Sequence, residues 1–412
     1  MADSPEMKDV LKALEHPALK TIDLSLGRMQ RYLQAYGNPQ LELPPVIHVA
    51  GTNGKGSTIA FIRAILEGAG YCCHVYTSPH LVHFRERIVI AGQEITDDTL
   101  LPLLRQTQQR TQSHPLTFFE ATTAVAFEAF AATPADFTLL EVGMGGRFDA
   151  TNVIPNPALS IITPVSIDHT EFLGDTLAAI AHEKAGIIKS KTPLILATQQ
   201  AEAEQAIKTV AQTLDAPIIT ASEMNEELGL QGAHQRQNAA TAITAIHQLQ
   251  QQGYTITNNA IISGLQKAQW PARLQPLKAG NLVNMLPAHL HLWLDGGHNI
   301  AAAEQLAQWV QSRNRPVHLI CGMVSRKDAA GFLTPLAAHI SSIHAIEIEG
   351  EPQSMSLNEL IKAEKIINKE VVGYNSLEEA LAHISAVSEL YEADILIAGS
   401  LYLAGKALEK NG

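Results

Sequence analysis

The sequence has few charged residues and no excess of basic ones. Charged side chains make up 17% of the 412 residues, and 29 Lys and Arg stand against 41 Asp and Glu, a net charge of −12. A protein that binds duplex nucleic acid normally carries a basic excess, so this class is excluded. The hydrophobic share of 46% also excludes a disordered chain. An anionic ligand must therefore be held by local groups against the overall charge.

Cysteines and long apolar runs are equally scarce. The three cysteines are Cys72, Cys73 and Cys321; two are neighbours and the count is odd, which argues against a disulfide framework. No apolar run reaches the roughly 20 residues that cross a membrane. Residues 1–17 lack the apolar core of a signal peptide. We therefore expect a cytoplasmic protein with neither a membrane nor a nucleic-acid partner.

Short apolar runs alternate with stretches of helical period through the first part of the chain. Such runs, bounded by Gly and Pro, are typical of strands buried on both faces, and their alternation with helices predicts an α/β fold with a mainly parallel sheet. Strands are predicted at residues 46–50, 73–77, 137–142, 159–165, 194–197 and 218–220, with a hairpin of residues 87–90 and 94–95. Helices are predicted at residues 57–67, 122–132, 176–184, 203–214 and 238–251.

This rhythm breaks after Arg273. Residues 275–290 carry two prolines, a Gly-Asn pair and mixed polarity, which predicts a linker. Strand and helix patterns then resume and predict a second α/β domain. Its strands are predicted at residues 290–294, 317–321, 345–349, 371–374 and 395–398.

The first chemical motif is a glycine-rich turn between a strand and a helix, VIHVAGTNGKGST. Glycines let backbone N–H groups approach phosphate oxygens, and the helix N-terminus adds positive potential. Lys55 can reach the outer phosphates, and the hydroxyl of Ser57 can bind Mg²⁺. Gly56 separates these two residues, unlike in the common phosphate loop, and an ordinary strand–turn–helix junction is the alternative. The predicted loop comprises Gly51, Thr52, Asn53, Gly54, Lys55, Gly56, Ser57 and Thr58.

A second group of polar residues follows two further strands. Glu141 ends an apolar strand in LEVGMGGRFDATN and can hold the Mg²⁺ of a nucleotide, because the ligand crevice of a parallel sheet lies beyond the strand carboxyl ends. Asp168 and His169 follow another strand at the same edge, and Lys184 lies on the helix predicted to begin near Thr176. The alternatives are an ion-pair partner or cap for Glu141, a hydrogen-bonded turn histidine and an exposed helix lysine.

A third group lies in or near the second domain. Arg273 lies in WPAR, Asp295 and His298 lie in LWLDGGHN, and Ser400 lies in ILIAGSLYL. The last three residues directly follow predicted strands. Each could bind a ligand, or could merely terminate a strand or cap a helix.

Together these segments resemble the folylpolyglutamate synthase/dihydrofolate synthase family, relatives of the Mur ligases. The matching stretches are HVAGTNGKGST, TSPHL, FRERIVI, TFFEATT, EVGMGGRFDATN, DHTEFLGDT, EKAGIIK, HQRQNAA, PARL, LDGGHN and AGSLYLAG. The resemblance implies an ATP-dependent ligase that joins L-glutamate to dihydropteroate and then adds glutamates to a folate γ-carboxylate. It also implies a P-loop-type ATPase domain with a pterin-binding N-terminal segment over residues 1–280, and a smaller Rossmann-like domain over residues 281–412.

The resemblance assigns roles to single residues as well. It implies metal ligands at Ser57, Ser78, Glu141, His169 and a carbamylated Lys184. It implies further nucleotide contacts at Asn238, Arg273 and Asp295. It implies substrate contacts at Leu26, Gly27, Arg28, Thr117, Phe118, Arg147, Phe148, His298 and Ser400. The catalytic residues that it implies are Lys55, Lys184, Asp295 and His298.

This chain departs from the family pattern in its local turns. The family commonly carries Gly-Leu-Gly where this chain has Met144 in the middle, glycine where this chain has Ala272, and D-x-A-H-N in place of residues 295–299.

We expect the reaction to require ATP, two Mg²⁺ ions and the carbamylated lysine. We expect dihydropteroate, reduced folates and L-glutamate as small-molecule partners of a monomer. An acyl phosphate hydrolyses in water, so we expect the two domains to close and exclude water during the reaction. The linker after Arg273 is the expected hinge of this closure.

Several alternatives remain open at this stage. Residues 21–33 resemble the dihydropteroate-binding element of the bifunctional enzymes and predict both activities; a folylpolyglutamate synthase with one activity, or a helix that only packs on the sheet, is the alternative. A nucleotide-driven switch would hydrolyse ATP without a small acceptor. A folate-binding protein would leave the phosphate loop unexplained. A Mur ligase carries a further domain ahead of the ATPase domain, for which about 45 residues are too few.

Overall fold

The structure is a computed structural model that describes residues 3–15, 25–222, 224, 226–388 and 391–412. The chain forms two compact units. The first unit holds Asp3–Gly229 and Gln235–Gln269, and the second holds Leu230–His234 and Trp270–Gly412. Each unit contains a mostly parallel sheet with helices, which confirms the predicted fold class.

One sheet of eight strands forms the centre of the first unit. Its strands are β1 (Val46–Ala50), β2 (Cys73–Tyr76), β3 (Ile88–Ile90), β4 (Gln93–Glu94), β5 (Phe137–Glu141), β6 (Leu159–Ile162), β7 (Leu194–Leu196) and β8 (Ile218–Thr220). They lie in the order β4-β3-β2-β5-β1-β6-β7-β8. Neighbouring strands run parallel except at β2–β3 and β3–β4, which are antiparallel and confirm the predicted hairpin.

The middle of this sheet is fully buried, and its strand ends are aligned. Every residue of β1 and β5 is buried, as expected for the apolar runs in their sequences. Val49 of β1 pairs with Glu141 of β5, and Ala50 pairs with Ile162 of β6. The carboxyl ends of these three strands therefore meet at one edge, where ligands bind in parallel sheets.

Helices pack around this sheet. They are α1 (Pro5–Ala13), α2 (Gly27–Ala35), α3 (Lys55–Gly68), α4 (Asp97–Thr111), α5 (Phe118–Ala131), α6 (Thr170–Leu173), α7 (Leu177–Ala185), α8 (Ala201–Thr213), α9 (His234–Gln251) and α10 (Asn258–Lys267). Residues of α1, α2, α4 and α5 share one apolar cluster, and residues of α7 and α8 share another. Thr176 caps α7, so this helix begins near the residue where it was predicted to begin.

The start of α5 differs from the sequence-based prediction. The apolar pattern placed the helix at residues 122–132, but it begins at Phe118. The reason is a capping box: Thr117 Oγ1 accepts a hydrogen bond from Glu120 N, and the Glu120 carboxylate accepts one from Thr117 N. Two phenylalanines and the cap thus belong to the first turn rather than to a loop.

The second unit contains a six-stranded sheet. Its strands are β9 (Gln275–Leu277), β10 (Leu290–Leu294), β11 (Val317–Cys321), β12 (Ser342–Ile346), β13 (Val371–Tyr374) and β14 (Ala393–Ala398). Their order is β13-β12-β11-β14-β10-β9, with only β9 antiparallel to its neighbour. Its helices are α11 (Asn281–Asn284), α12 (Ile300–Gln311), α13 (Ala329–Ala337), α14 (Leu357–Lys362), α15 (Glu364–Ile367), α16 (Leu377–Val387) and α17 (Leu401–Asn411).

Two predictions for this unit were wrong in detail. The predicted linker forms β9 and α11, because β9 pairs with β10 in spite of its proline. β9 belongs to the compact unit that includes Trp270–Gly412. The division of the chain into domains after residue 280 stays a prediction. The strand predicted at residues 345–349 is instead Ser342–Ile346, since its apolar alternation continues into the loop beyond the last pairing with β13.

None of the helices in the described ranges is long and apolar enough to cross a membrane.

Candidate active site

A glycine-rich turn connects β1 to α3. Gly51 has φ 147° and Gly54 has φ 88°, backbone conformations that side chains disfavour. A Cβ at position 54 would also overlap the Asn238 amide, with its Cγ only 3.1 Å away. Because α3 begins at Lys55, the positive end of its dipole faces this turn. The turn can therefore present backbone N–H groups to an anion.

The ammonium of Lys55 lies between this turn and the carboxylate of Glu141. Lys55 Nζ donates to the carbonyls of Gly51 at 3.2 Å and Thr52 at 3.3 Å, and lies 3.9 Å from Glu141 Oε1. Glu141 Oε2 accepts a hydrogen bond from Ser78 N at 3.2 Å. The structure thus brings together three residues that the sequence predicted from separate motifs.

Helix α9 supplies two amides that support the turn. Gln235 Nε2 donates to Ser57 Oγ at 3.3 Å, and Asn238 Nδ2 donates to Gln235 Oε1 at 2.9 Å. All three side chains are buried. The predicted Asn238 therefore lies beside the phosphate loop. Sequence reasoning missed Gln235, although its spacing of three from Asn238 places both amides on one helix face.

The segment after β6 packs against the phosphate loop. Thr52 N donates to Pro164 O at 3.0 Å, and Thr52 Oγ1 donates to Ser166 O at 3.1 Å. Asp168 and His169 come next, and Asp168 Oδ1 accepts a hydrogen bond from His169 N at 2.9 Å. His169 precedes the first turn of α6 with φ 53°. The segment that carries both predicted residues is therefore anchored to the phosphate loop.

Lys184 on α7 also reaches this loop. Its side chain is buried, and Nζ donates to Gly51 O at 3.0 Å. Burial, followed by the charge of Lys55, lowers the pKa of Lys184 to about 7; the carboxylates of Asp168 and Asp149 act in the opposite direction. The alternative of an exposed helix lysine is therefore excluded. The lowered pKa favours the neutral form of this amine.

The glycine-rich segment after β5 interlocks with the end of α7. Arg147 N donates to Glu183 O at 2.8 Å, and a Cβ at Gly146 would lie 2.8 Å from Lys184 O. The Arg147 guanidinium lies over the Phe148 ring at 4.7 Å and 3.6 Å from Glu183 Oε1. The predicted pair of Arg147 and Phe148 thus lies at the base of the helix that carries Lys184.

Two further residues of this segment were missed by sequence reasoning. Asn152 Nδ2 donates to the carbonyls of Arg147 and Gly186, both at 3.0 Å, and so ties the segment to the residue after α7. Asp149 Oδ2 accepts a hydrogen bond from Met144 N at 2.9 Å, and the other oxygen accepts from Thr151 N at 3.0 Å. Both contacts fix the backbone between Glu141 and Lys184.

The predicted pterin-side residues form a separate group in the first unit. Leu26 precedes α2, and Gly27 and Arg28 form its first turn. Arg28 Nε lies 3.3 Å from the Glu120 carboxylate on α5. Glu120 belongs to the capping box of Thr117, and Phe118 follows directly. Residues 21–24 of the predicted dihydropteroate-binding segment lie outside the described residues.

Asp295 organises the predicted residues of the second unit. Its carboxylate accepts hydrogen bonds from Leu274 N at 2.8 Å and Gly297 N at 2.7 Å. A Cβ at position 296 would lie 2.8 Å from Arg273 Nη1, so the Arg273 guanidinium lies against the loop after β10. Ala272 has φ 54°, which explains why a glycine is common there in the family that the sequence resembles.

His298 and Ser400 follow the neighbouring strands β10 and β14. His298 Nδ1 and Gly296 O lie 3.1 Å apart, and Ser400 Oγ accepts a hydrogen bond from Tyr402 N at the start of α17. Gly399 N donates to Gly297 O at 3.0 Å, which joins the two strand ends. Ser400 therefore does cap a helix, and it also lies beside the loop that carries His298.

The donor atoms near the phosphate loop suit Mg²⁺. Within the described ranges, no group of three or more His, Cys, Asp and Glu side chains gathers as a preformed metal site. Mg²⁺ is commonly bound by one or two carboxylates together with substrate phosphates rather than by an all-protein cage. Glu141 is such a carboxylate, and Ser57 adds a hydroxyl oxygen. Ser78, whose backbone N–H donates to Glu141, carries a second hydroxyl. The residues present therefore fit this ion.

Comparisons with known proteins agree with this geometry. Residues 49–261 match the family pattern of the Mur ligase middle domain, and residues 281–410 match that of the dihydrofolate synthetase C-terminal domain. The dihydrofolate synthase/folylpolyglutamate synthase of Bacillus subtilis is 34% identical over 412 residues, which cover 92% of each chain. The chain belongs to the dihydrofolate synthase/folylpolyglutamate synthase family. It is accordingly a ligase of the ATP-dependent Mur type.

Solved structures of family members have the same fold. Escherichia coli FolC in complex with DHPP and ADP superposes with a TM-score of 0.84 at 29% identity, over 99% of this chain and 98% of that one. The bifunctional Yersinia pestis enzyme with Mn, AMPPNP and L-glutamate bound has a TM-score of 0.81 at 28% identity, with the same coverage. The ligands named here are bound in the solved structures of these two relatives.

Proposed function

We propose that this protein uses ATP to join L-glutamate to dihydropteroate and, in a second reaction, to the γ-carboxylate of a folate. The observation that carries the proposal is the grouping of Lys55, Glu141 and Lys184 around the phosphate loop. A plain nucleotide switch does not account for the family relationship over nearly the whole chain. The bifunctional relatives support two acceptors rather than one.

The residues at the phosphate loop suit phosphoryl transfer to a carboxylate. An acceptor carboxylate oxygen attacks the γ-phosphorus of ATP, the bond to the β-phosphate oxygen breaks, and ADP leaves with an acyl phosphate formed. Lys55 and the N-terminus of α3 offset the negative charge of the phosphates. The glutamate amine then attacks the acyl carbon, loses a proton and expels phosphate. No protein nucleophile is needed, so positioning is the main task of the chain.

Ser57, Ser78, Glu141 and His169 are the residues proposed to hold Mg²⁺. When bound, this ion would offset negative charge on the nucleotide phosphates. Lys55 Nζ lies 3.9 Å from Glu141 Oε1, so the positive charge of this lysine faces the carboxylate. Gln235 holds the Ser57 hydroxyl by donating to it, which leaves the hydroxyl proton free to rotate.

A carbamate at Lys184 is part of the proposal. The lysine ammonium first loses one proton; the neutral amine then adds CO₂ through its nitrogen and loses a second proton, so that an anion with two oxygens replaces the cation. Burial and the lowered pKa support it, since only a neutral amine adds CO₂. The competing state is an unmodified lysine that donates to Gly51 O.

Labelled bicarbonate tests the carbamate directly. Protein equilibrated with ¹³C-bicarbonate should give a carbamate carbon signal that disappears in Lys184→Ala. Lys189→Ala is a matched control, because burial lowers the pKa of this nearby lysine as well. Its Nζ donates to Asn152 O at 3.4 Å rather than to the phosphate loop. Retention of the signal in Lys184→Ala, or its absence from the wild type, would exclude the modification.

In the second unit we propose that His298 and Ser400 serve the glutamate and that Arg273 and Asp295 serve the nucleotide. Support comes from their common place at the carboxyl ends of β10 and β14. The hinge after Arg273 stays a prediction. The monomeric state and the cytoplasmic location stay predictions as well.

Product release with two acceptors tests the function as a whole. ADP formation is measured with dihydropteroate plus glutamate and, separately, with a reduced folate plus glutamate. We expect ADP release with both acceptors, dependent on glutamate and lost in Lys55→Ala. Release with the folate alone would indicate the single-activity alternative, and release that ignores glutamate would indicate a nucleotide switch.

A further inference from the structure

Three buried side chains form a hydrogen-bonded chain beside the phosphate loop. Asn238 Nδ2 donates to Gln235 Oε1 at 2.9 Å, and Gln235 Nε2 donates to Ser57 Oγ at 3.3 Å. Gln235 is 0% exposed, Ser57 1% and Asn238 4%. The oxygen of the Gln235 amide accepts and its nitrogen donates, so the orientation that serves Asn238 also serves Ser57. The Gln235 side chain therefore links the positions of the other two.

Asn238 lies against the glycine-rich turn of the phosphate loop. Because its amide nitrogen faces Gln235, its amide oxygen faces Gly54 and would be the nearest atom to a Cβ added there. Gly54 directly precedes α3, and Ser57 lies in the first turn of that helix. The chain from Asn238 to Ser57 thus connects the turn with the start of the helix, the two parts of the loop that are predicted to surround the phosphates.

The Ser57 hydroxyl depends on Gln235 for its orientation. Within the described ranges, the contact with Gln235 Nε2 is the one hydrogen bond of this hydroxyl. A hydroxyl oxygen has two lone pairs and one proton, and the N–H of Gln235 occupies one lone pair. The other lone pair is left for a metal ion, and the position of the Gln235 amide sets its direction. Without this partner the serine side chain is free to turn to other staggered rotamers.

We infer that Gln235 is a positioning residue that couples metal binding to nucleotide binding, because it holds Ser57 and Asn238 in one hydrogen-bonded chain. The inference rests on the proposed function, in which Ser57 serves Mg²⁺ and Asn238 serves the nucleotide, and it deepens both roles. An ion held by Ser57 fixes the Gln235 amide, which in turn fixes Asn238 against Gly54. Without the chain each side chain turns independently, so that one ligand no longer prepares the site of the other.

Nucleotide binding with and without a metal ion tests this coupling. The affinity for AMPPNP is measured by titration in the presence and in the absence of Mn²⁺, and the ratio of the two affinities is the coupling factor. Gln235→Met keeps an unbranched side chain but removes the donor and the acceptor of the chain. We expect its coupling factor to fall about tenfold, because loss of a group that orients a metal ligand typically lowers metal affinity by about 10–100-fold.

Gln237→Met is the matched control on the same helix. Gln237 Nε2 donates to Thr198 O at 2.9 Å, outside the chain that reaches Ser57. Its coupling factor should equal that of the wild type. Gln235→Ala removes the same two groups as Gln235→Met with a smaller side chain. It should give the same lowered factor, so the test does not depend on how well methionine packs at position 235.

A double-mutant cycle tests whether Gln235 acts through Ser57. Ser57→Ala should lower the coupling factor, and the addition of Gln235→Met should lower it no further. A purely structural role of Gln235 would weaken AMPPNP binding equally with and without Mn²⁺; the resulting wild-type factor would overturn the inference. An equal fall in Gln237→Met, or a further fall in the double variant, would overturn it too. A wild type that shows the coupling but joins glutamate to neither acceptor would refute the proposed function and leave this inference standing.

Discussion

Replacement of Gly186 by alanine should separate a packing role of this glycine from a conformational one. Gly186 follows α7 with φ −60° and ψ −12°, which alanine adopts readily. On conformational grounds alone the change stabilises a protein by about 0.4–1 kcal/mol. The structure reverses that expectation, because a Cβ at position 186 would lie 2.8 Å from Arg147 N and closer still to Arg147 Cα and Cβ.

The size of the effect follows from the required movement. Carbon atoms in contact lie about 3.5–4.0 Å apart, so the helix end and the segment of Arg147 must separate by roughly 1 Å. Overpacking of this kind costs about 1–3 kcal/mol, which exceeds the conformational gain. Lys184 lies two residues earlier, with Nζ 3.0 Å from Gly51 O, so the movement reaches the phosphate loop. A shift of about 1 Å can lower kcat by about 100-fold.

Gly68→Ala is the matched control for this experiment. Gly68 ends α3, and the nearest atom to its added Cβ would be Ala260 O at 3.7 Å, an ordinary contact. Urea unfolding and steady-state kinetics are measured on both variants. We expect Gly186→Ala to lose stability and kcat, and Gly68→Ala to be as stable as the wild type or more so, with kcat unchanged. Wild-type stability and kcat in Gly186→Ala would refute the packing argument.

Two further predictions concern stability and thiol reactivity. Burial, then the neighbouring His318 and His383, lowers the pKa of His344 to about 4. The unfolded chain takes up this proton near pH 6.5, whereas the folded chain resists it down to about pH 4. The contribution of His344 to the free energy of unfolding is therefore full above pH 6.5 and falls toward pH 4, by up to ~1.4 kcal/mol per pH unit. Urea unfolding at several pH values should show a free energy of unfolding that depends less on pH in His344→Gln than in His383→Gln. A thiol reagent should modify only the exposed Cys72 in the native chain and all three cysteines in denaturant. The reason is that burial raises the pKa of the Cys321 thiol to about 12 and raises the pKa of the Cys73 thiol as well. Two fast thiols in the native protein would contradict this.

Local sequence patterns were sufficient to predict the fold class and the phosphate loop. β1 matches its predicted range, and the helix that follows begins at Lys55. An apolar strand that ends in a polar residue is a local signal, and parallel topology brings several such ends to one edge. For this reason Lys55 and Glu141, 86 positions apart, were predicted at one site and lie 3.9 Å apart. Their roles in binding ATP and metal stay predictions.

Contacts across long sequence separations could not be predicted in this way. Gln235 donates to Ser57 across 178 positions, and no periodic pattern relates the two. The pairing of β9 with β10 was missed because prolines and mixed polarity favour a loop, whereas an edge position tolerates both. Lys184 was predicted on its helix, but its partner, the carbonyl of Gly51, was not.

The glycines show most clearly where prediction from one sequence ends. Gly51 and Gly54 were predicted as turn residues, and their positive φ angles agree, since that requirement is set by the local backbone. Gly186 has an ordinary helical conformation, and its need for glycine arises only from Arg147, 39 positions earlier, which packs against it. Both kinds of glycine look the same in the sequence. A substitution at the first kind strains the turn itself, whereas one at Gly186 separates two segments that together hold Lys184 at the phosphate loop.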